Sequence, residues 1–346
     1  MKTPITNAST IFSFVKNLKW HFKTAIPVLL IFLFTSCQHV KKKAEPTAVE
    51  KYGQLSVAGN KVVDKNGNPV QLKGMSLFWS QEIPKYYNYS AIKWLRDDWN
   101  CSITRAAMAV EHGGYLTNPE VEKQKVDSAV SAALQLGMYI IIDWHDHHAQ
   151  RHLPQAKKFF ADMAQQYGKY PNIIYETYNE PLNDVSWADS IKPYHEAVID
   201  TIRMYDTLNL IVCGSRTWSQ DVDEASLDPI KGKNIVYALH YYASTHKQAL
   251  RDKAVTALNN GAALMVTEFG TVFANGDGDI NYEESRLWWD LLDKHQISWC
   301  CWSVCDKKES SAALKPGASA IGGWDESMLN PSGIFVRKEL RGENKE

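Results

Sequence analysis

Two glutamates close short apolar runs of this chain, Glu180 after Ile173-Ile174-Tyr175 and Glu268 after Leu264-Met265-Val266. One carboxylate in such a place serves solubility as readily as chemistry. A pair acquires meaning from its neighbours. Other apolar runs carry Arg105, end in Asp143-Trp144-His145 or His240-Tyr241-Tyr242, or close near Trp302, and Asn179 directly precedes the first glutamate. Two carboxyl groups of unlike protonation can cleave an acetal. One gives a proton to the departing oxygen, and the other supplies negative charge, or a bond, to an oxocarbenium-like carbon; a separation of about 5–5.5 Å selects direct attack by the carboxylate. His145, Asp146, His147 and His148 stand in a row, but adjacent side chains rarely converge on one ion. No His-Glu-x-x-His helix accompanies them, so no metal or other cofactor is expected.

Such a pair needs elements that bring distant residues together. Eight short runs rich in β-branched residues read as strands, at 71–77, 102–107, 138–143, 173–178, 210–213, 235–239, 264–267 and 297–302. Between them lie stretches with helical apolar spacing, at 119–136, 156–167, 191–205, 247–258 and 283–295, several of them ending at Gly or Asn. Strands apolar along their whole length and alternating with helices imply a parallel sheet covered on both faces. Eight of them predict an α/β fold of the (β/α)8 barrel type. Lys73-Gly74-Met75-Ser76 after the first strand is not a Gly-x-Gly-x-x-Gly loop, which argues against a dinucleotide site. A short N-terminal hairpin, 54–57 with 61–64, precedes the barrel and turns at Ala58-Gly59-Asn60. In a barrel, function gathers at the C-terminal strand ends, and the ends of the fourth and seventh strands face each other across the mouth.

Composition bounds the rest. A net charge of −1 with 45% hydrophobic and 22% charged residues is an ordinary globular balance and suggests no nucleic-acid partner. Twelve Trp and 16 Tyr suit both core packing and stacking on sugar faces. Lys16, Lys19, His21 and Lys23 precede an apolar run at 25–34, too short to span a bilayer but suited to a signal peptide. It leads to Phe34-Thr35-Ser36-Cys37, which resembles a bacterial lipobox. The expected organisation is a removed leader over 1–36, acylated Cys37 with a solvated tether to 51, and one catalytic barrel over 52–346. The corresponding location is the bacterial outer membrane or cell surface, with periplasmic or free secretion as alternatives; membrane contact is through the lipid alone, and a monomer is expected. Cys101, Cys213, Cys300, Cys301 and Cys305 lack Cys-x-x-Cys spacing and read as buried thiols.

Asn179-Glu180-Pro181 and Thr267-Glu268-Phe269-Gly270, each after an apolar strand, resemble the paired signatures of glycoside hydrolase family five. Leu72-Lys73-Gly74-Met75-Ser76, Asp143-Trp144-His145, Thr217-Trp218-Ser219-Gln220-Asp221 and Gly322-Gly323-Trp324 are similar to its bacterial endoglucanase branch, and the likeness runs from Gly53 to the C-terminus. The resemblance implies retaining, endo-acting hydrolysis of β-1,4-glucan. Glu180 would be the acid/base, its pKa raised by burial and by Glu268, and Glu268 the nucleophile, oriented by Arg105 and Tyr242. Asn179 would bind the 2-hydroxyl of the reacting sugar, and His145 and His240 substrate hydroxyls or the carboxylates. Trp302 would stack on the non-reducing side of the cleavage point and Trp218 on the leaving-group side, with Trp79, Lys307 and Glu309 at outer positions. The 77–79 loop, Leu77-Phe78-Trp79, lacks the histidine found in better-known members. Related β-glycanases acting on mannan, xyloglucan or mixed-linkage glucan share the same barrel, and a surface glycan-binding lipoprotein is the alternative without catalysis. A last helix opening at Asn330-Pro331-Ser332-Gly333 leaves no further binding module, so soluble or amorphous glucan is the expected substrate.

Overall fold

Eight strands, β3 to β10, close into a barrel in the computed structural model, which describes residues 45–344. They are preceded by helix α1 (Ala48–Tyr52) and a two-stranded hairpin, β1 (Ser56–Ala58) and β2 (Lys61–Val63), paired antiparallel. The barrel strands are β3 (Lys73–Leu77), β4 (Ile103–Ala109), β5 (Tyr139–His145), β6 (Ile173–Glu176), β7 (Leu210–Cys213), β8 (Ile235–Tyr242), β9 (Leu264–Gly270) and β10 (Trp299–Val304). Neighbours pair in chain order, every pair is parallel, and β10 returns to β3. The intervening and closing helices are α2 (Tyr89–Asp97), α3 (Pro119–Leu136), α4 (Leu153–Tyr167), α5 (Lys192–Arg203), α6 (Val222–Leu227), α7 (Gln248–Asn259), α8 (Tyr282–His295) and α9 (Pro331–Leu340).

The expected α/β barrel with its N-terminal hairpin is therefore the observed architecture. Helix α3 has the expected bounds: Pro119 opens it, and Gly137, at φ +63°, closes it with its N–H on the carbonyls of Ala133 and Leu134. Helix α2 escaped the sequence reading because it is short, nine residues, although Ala91, Ile92 and Leu95 form its buried face; its other signal is Asn88, whose side chain accepts from the Ala91 N–H. The tether expected up to residue 51 ends in helix instead. Thr47 and Glu50 form a reciprocal capping box at the start of α1, which the charged composition of the stretch concealed.

Two cores divide the barrel. Toward its N-terminal end, Ile103, Tyr139, Ile141, Ile174, Leu210, Val212, Val236 and Met265 fill the interior. Leu55, Val62 and Val70 from the hairpin region close that end, with Ala48, Val49 and Tyr52 of α1 packed beside them. A larger shell, which includes Trp144, Phe159, Tyr175, Trp288 and Trp299, lies between strands and helices. All five cysteines among the described residues are buried free thiols, as expected. Cys37 and the leader lie outside the described residues.

Candidate active site

Toward the C-terminal end the apolar filling stops, and Arg105 occupies the axis. It is fully buried and holds three carboxylates: Asp143 at 2.9 Å, Glu176 at 2.7 Å and Glu268 at 2.9 Å. Its Nη2 also donates to Asn179 Oδ1 at 2.6 Å. A buried guanidinium is tolerable only when its donors are matched in this way. Around it, Thr267 donates to Glu176 at 2.6 Å, and His145 Nδ1 lies 2.7 Å from Asp143. Burial and the Arg105 charge push the His145 imidazole down to about 3, so this ring is neutral. Burial raises the Asp143 carboxyl despite the opposing pull of Arg105.

A break in strand register brings Glu268 into this group. Along β8 and β9, Ala238 pairs with Met265 but His240 pairs with Glu268; along β10, Trp299 pairs with Val266 but Cys301 with Phe269. Strand β9 thus carries one residue more than either neighbour, a bulge that reverses which side chains face inward. Thr267 and Glu268 consequently both reach the mouth. Tyr242 donates its hydroxyl to Glu268 at 2.8 Å, and its ring lies across Gly270, where a Cβ would come within 2.3 Å of it.

Glu180 sits opposite, between two imidazoles. His240 Nδ1 is 2.9 Å from one of its oxygens and His147 Nε2 is 3.1 Å from the other. The second nitrogen of His240 lies 2.8 Å from Thr267 Oγ1 and 3.6 Å from Glu176. Burial acts to raise the Glu180 carboxyl, but the hydrogen bonds from His147 and His240 outweigh it and hold the group well below the usual carboxylate range. The reverse holds for His240, which rises to about 9 against its burial because Glu176 and Glu180 bind it. This is opposite to the expectation of a raised Glu180: in the free cleft His147 and His240, both shifted upward by their bonds to it, favour its charged form, so a proton belongs to the carboxylate–imidazole group as a whole.

The cleft has two halves that meet over the glutamates. One, of about 610 Å3, includes Trp218, Gln220, His246 and Thr217; the other, of about 190 Å3, includes Trp79, His145, Trp302 and Glu309. Both include His147, Glu180, Tyr242 and Glu268. One oxygen each of Glu180 and Glu268, with a nitrogen of His240, lie within 4.8 Å of one another. Trp302 runs parallel to His145, ring centres 5.3 Å apart, and Trp79 meets that histidine edge-on at 4.3 Å. Trp218 is 39% exposed on the tight turn Arg216–Ser219, where Thr217, Trp218 and Ser219 all have positive φ. That left-handed turn is tied to the Glu180 segment: Trp218 N–H donates to Pro181 at 2.9 Å and Ser219 Oγ to the Asn179 carbonyl at 2.7 Å. Glu309 reaches the cleft. Lys307 pairs with Glu82 at 3.0 Å and Glu309 at 3.5 Å and does not line the cleft; with Glu309, Asp277 and Tyr282 it borders an adjoining groove of about 810 Å3.

The structure thus gathers Arg105, His145, Asn179, Glu180, His240, Tyr242, Glu268 and Trp302 about one centre. It adds Glu176, Thr267 and His147, which sequence reasoning did not single out. Glu176 read as strand interior, and its one signal was a carboxylate within an otherwise apolar run. His147 was grouped with its sequence neighbours; it lies just past the end of β5, and the bend there turns its ring into the cleft.

Comparison with known proteins bears on this centre. The family described as "Cellulase (glycosyl hydrolase family 5)" matches residues 63–308. An endoglucanase of Clostridium saccharobutylicum is 45% identical over 338 residues, 96% of this chain and 75% of that protein. Endoglucanase A of Evansella cellulosilytica is 49% identical over 80% of this chain, which spans 57% of that longer protein. The crystal structure of the catalytic domain of Thermobifida fusca endoglucanase Cel5A superposes with a TM-score of 0.83 at 36% identity, over 86% of this chain and 100% of that domain.

Proposed function

The chain belongs to the cellulase family of glycosyl hydrolases, family 5, and from that premise we propose that it is an endo-acting β-1,4-glucanase that cleaves glucan with retention of configuration. The observation that carries the mechanism is the meeting of Glu180 and Glu268 over the shared centre of a two-sided cleft, oxygens within 4.8 Å. Nearest oxygens that close fit the roughly 5–5.5 Å carboxyl separation of direct attack better than the about 6.5–9.5 Å of an inverting site. A cellotetraose complex of the Thermobifida enzyme supports a β-1,4-glucan as the ligand class.

In this mechanism Glu268, oriented by Arg105 and Tyr242, attacks the anomeric carbon and forms a glycosyl-enzyme. Glu180 delivers a proton to the departing oxygen, drawing on the imidazoles that flank it, and then accepts one from the water that releases the sugar. The Asn179 side-chain N–H is buried without a partner while its oxygen is fixed by Arg105, which leaves a donor ready for the 2-hydroxyl. Trp302 and Trp218 offer stacking surfaces in opposite halves of the cleft. The test is reducing-sugar release from a panel of soluble glucans and mannans, with NMR of the first anomer formed. Wild type should favour β-1,4-glucan and release the β-anomer. An initial α-anomer, preference for mannan, or full activity in Glu180→Gln or Glu268→Gln would overturn this reading.

We also infer that Cys37 is acylated and holds the enzyme on a membrane surface. The lipobox-like Phe34-Thr35-Ser36-Cys37 after a short apolar run supports it. Cys37→Ser should move activity from the membrane to the soluble fraction and abolish labelling by radioactive palmitate. Unchanged fractionation would refute the anchor.

A further inference from the structure

The loop between β3 and α2 is held to the barrel on both sides of Trp79. Before it, the Phe78 ring lies 5.0 Å from that of Trp302, centre to centre, and the Phe78 carbonyl accepts from the Tyr87 hydroxyl at 2.8 Å. After it, every polar group of Ser80 is engaged. Its N–H donates to the Ala107 carbonyl at 3.1 Å, and its hydroxyl oxygen accepts from the Ala109 N–H at 2.9 Å. The hydroxyl itself donates to Glu122, and the Ser80 carbonyl accepts from Lys125 at 3.0 Å. Lys125 also pairs with the other Glu122 oxygen at 2.6 Å. Trp79 is half-buried, meets His145 edge-on and lines the smaller half of the cleft.

We propose that Ser80, Glu122 and Lys125 form a lock that positions Trp79 as the wall against which sugars in the Trp302 half of the cleft bind. The proposal rests on the reading of that cleft as a β-1,4-glucan site. Glu122 is the residue that gives the lock away. A glutamate in the first turn of a helix ordinarily faces water, where the helix dipole favours its charge. Glu122 stands in the first turn of α3, yet it is 2% exposed and reaches a loop 42 residues earlier in the chain. Burying a carboxylate is costly unless it is paired and hydrogen-bonded, and both of its oxygens are so satisfied here. None of the three residues lines either half of the cleft, so they act on substrate only through the residue that precedes Ser80. An indole offers a broad apolar surface and one N–H, which suits the C–H face and hydroxyls of a pyranose. Fixing it before the sugar arrives spares the loss of affinity that ordering it on binding would bring. Ser80, Glu122 and Lys125 are thus positioning residues, and their effect belongs in substrate binding rather than in the chemical step.

Steady-state kinetics on cellohexaose test this, with melting curves to establish that each variant folds. Ser80→Ala and Glu122→Ala should each raise KM at least about fivefold and hold kcat within about twofold. Glu122→Gln, which keeps an acceptor for the Ser80 hydroxyl, should fall between them and wild type. Trp79→Ala should raise KM at least as much as either. In the Trp79→Ala background, Ser80→Ala and Glu122→Gln should raise KM no further, because no side chain is left to position. A general loosening of the barrel would instead add the same factor in both backgrounds. Unchanged KM in Trp79→Ala or in the Ser80 and Glu122 variants, a loss confined to kcat, or a full further rise in the double variants would overturn the proposal. Absence of wild-type turnover on cellohexaose would refute the substrate reading, whereas turnover with an unmoved KM in the variants would refute the lock alone.

Discussion

The proton that a departing sugar oxygen requires is shared, in the free cleft, between Glu180 and the imidazoles that touch it. With His240 pushed up to about 9, the alkaline limb of kcat/KM should reflect loss of this shared proton near that pH. Replacing His240 by Gln leaves the carboxyl with His147 as its only imidazole partner, so the limb should move to lower pH in pH–rate profiles on soluble cellulose; an unmoved limb would separate His240 from the proton. Glu180→Gln should lower kcat/KM by roughly 10^2–10^4-fold on glucan, the usual worth of a positioned acid. The loss should be smaller for aryl cellobiosides, whose leaving groups depart without protonation, and an equal loss on both substrates would contradict the acid role.

At the scale of elements, the one-residue bulge in β9 and the bare backbone of Gly270 decide whether Glu268 and Tyr242 meet. A methyl group at Gly270 would strike the Tyr242 ring, so Gly270→Ala should remove the 2.8 Å hydrogen bond without touching either partner. Tyr242→Phe and Gly270→Ala should each raise the barrier by about 1.5–3 kcal/mol, the range for a hydrogen bond to a charged group. Their combination should cost little more than either alone, as a double-mutant cycle in kcat would reveal; additive losses would mean that Gly270 acts elsewhere. The left-handed turn Arg216–Ser219 has a separate task, presenting Trp218 to the half of the cleft lined by Gln220 and His246. Trp218→Ala should raise KM on longer oligosaccharides and leave the unfolding free energy within about 0.5 kcal/mol of wild type, as an exposed side chain allows.

For the whole molecule, the charged group on the barrel axis ties stability to pH. Glu176 is pulled down to about 2, chiefly by Arg105 acting against burial, so its contribution is complete above its unfolded value near 4.5 and is lost as pH falls toward 2. His240 has the opposite sign. Its contribution is complete below about 6.5 and disappears as pH rises through about 9. His145, held down to about 3 by burial, costs stability as pH falls below about 6.5, so the melting temperature should be highest near pH 6.5 and fall on both sides, and His240→Gln should flatten the alkaline decline alone. Removing Arg105, as in Arg105→Met, would leave three buried carboxylates without their cation and should cost about 3–5 kcal/mol in denaturant unfolding.

The sequence by itself determined the barrel and the poles of its site. Apolar runs alternating with helical periods fix eight covered parallel strands, and a carboxylate at the end of two of them is visible in the chain as written. Chain order also sufficed to place Arg105, Asn179, His240 and Tyr242 near those ends, since each is adjacent to or within a strand. Only the tertiary structure decided the rest. The bulge that turns Glu268 inward is a difference in register between neighbouring strands, which no single segment encodes. Glu176 and Thr267 become functional neighbours because strands far apart in sequence converge at the barrel axis. The direction of the Glu180 shift depends on His147 and His240 arriving from two other strands. Protonation is settled by what surrounds a group, and here strands from around the barrel supply the surroundings.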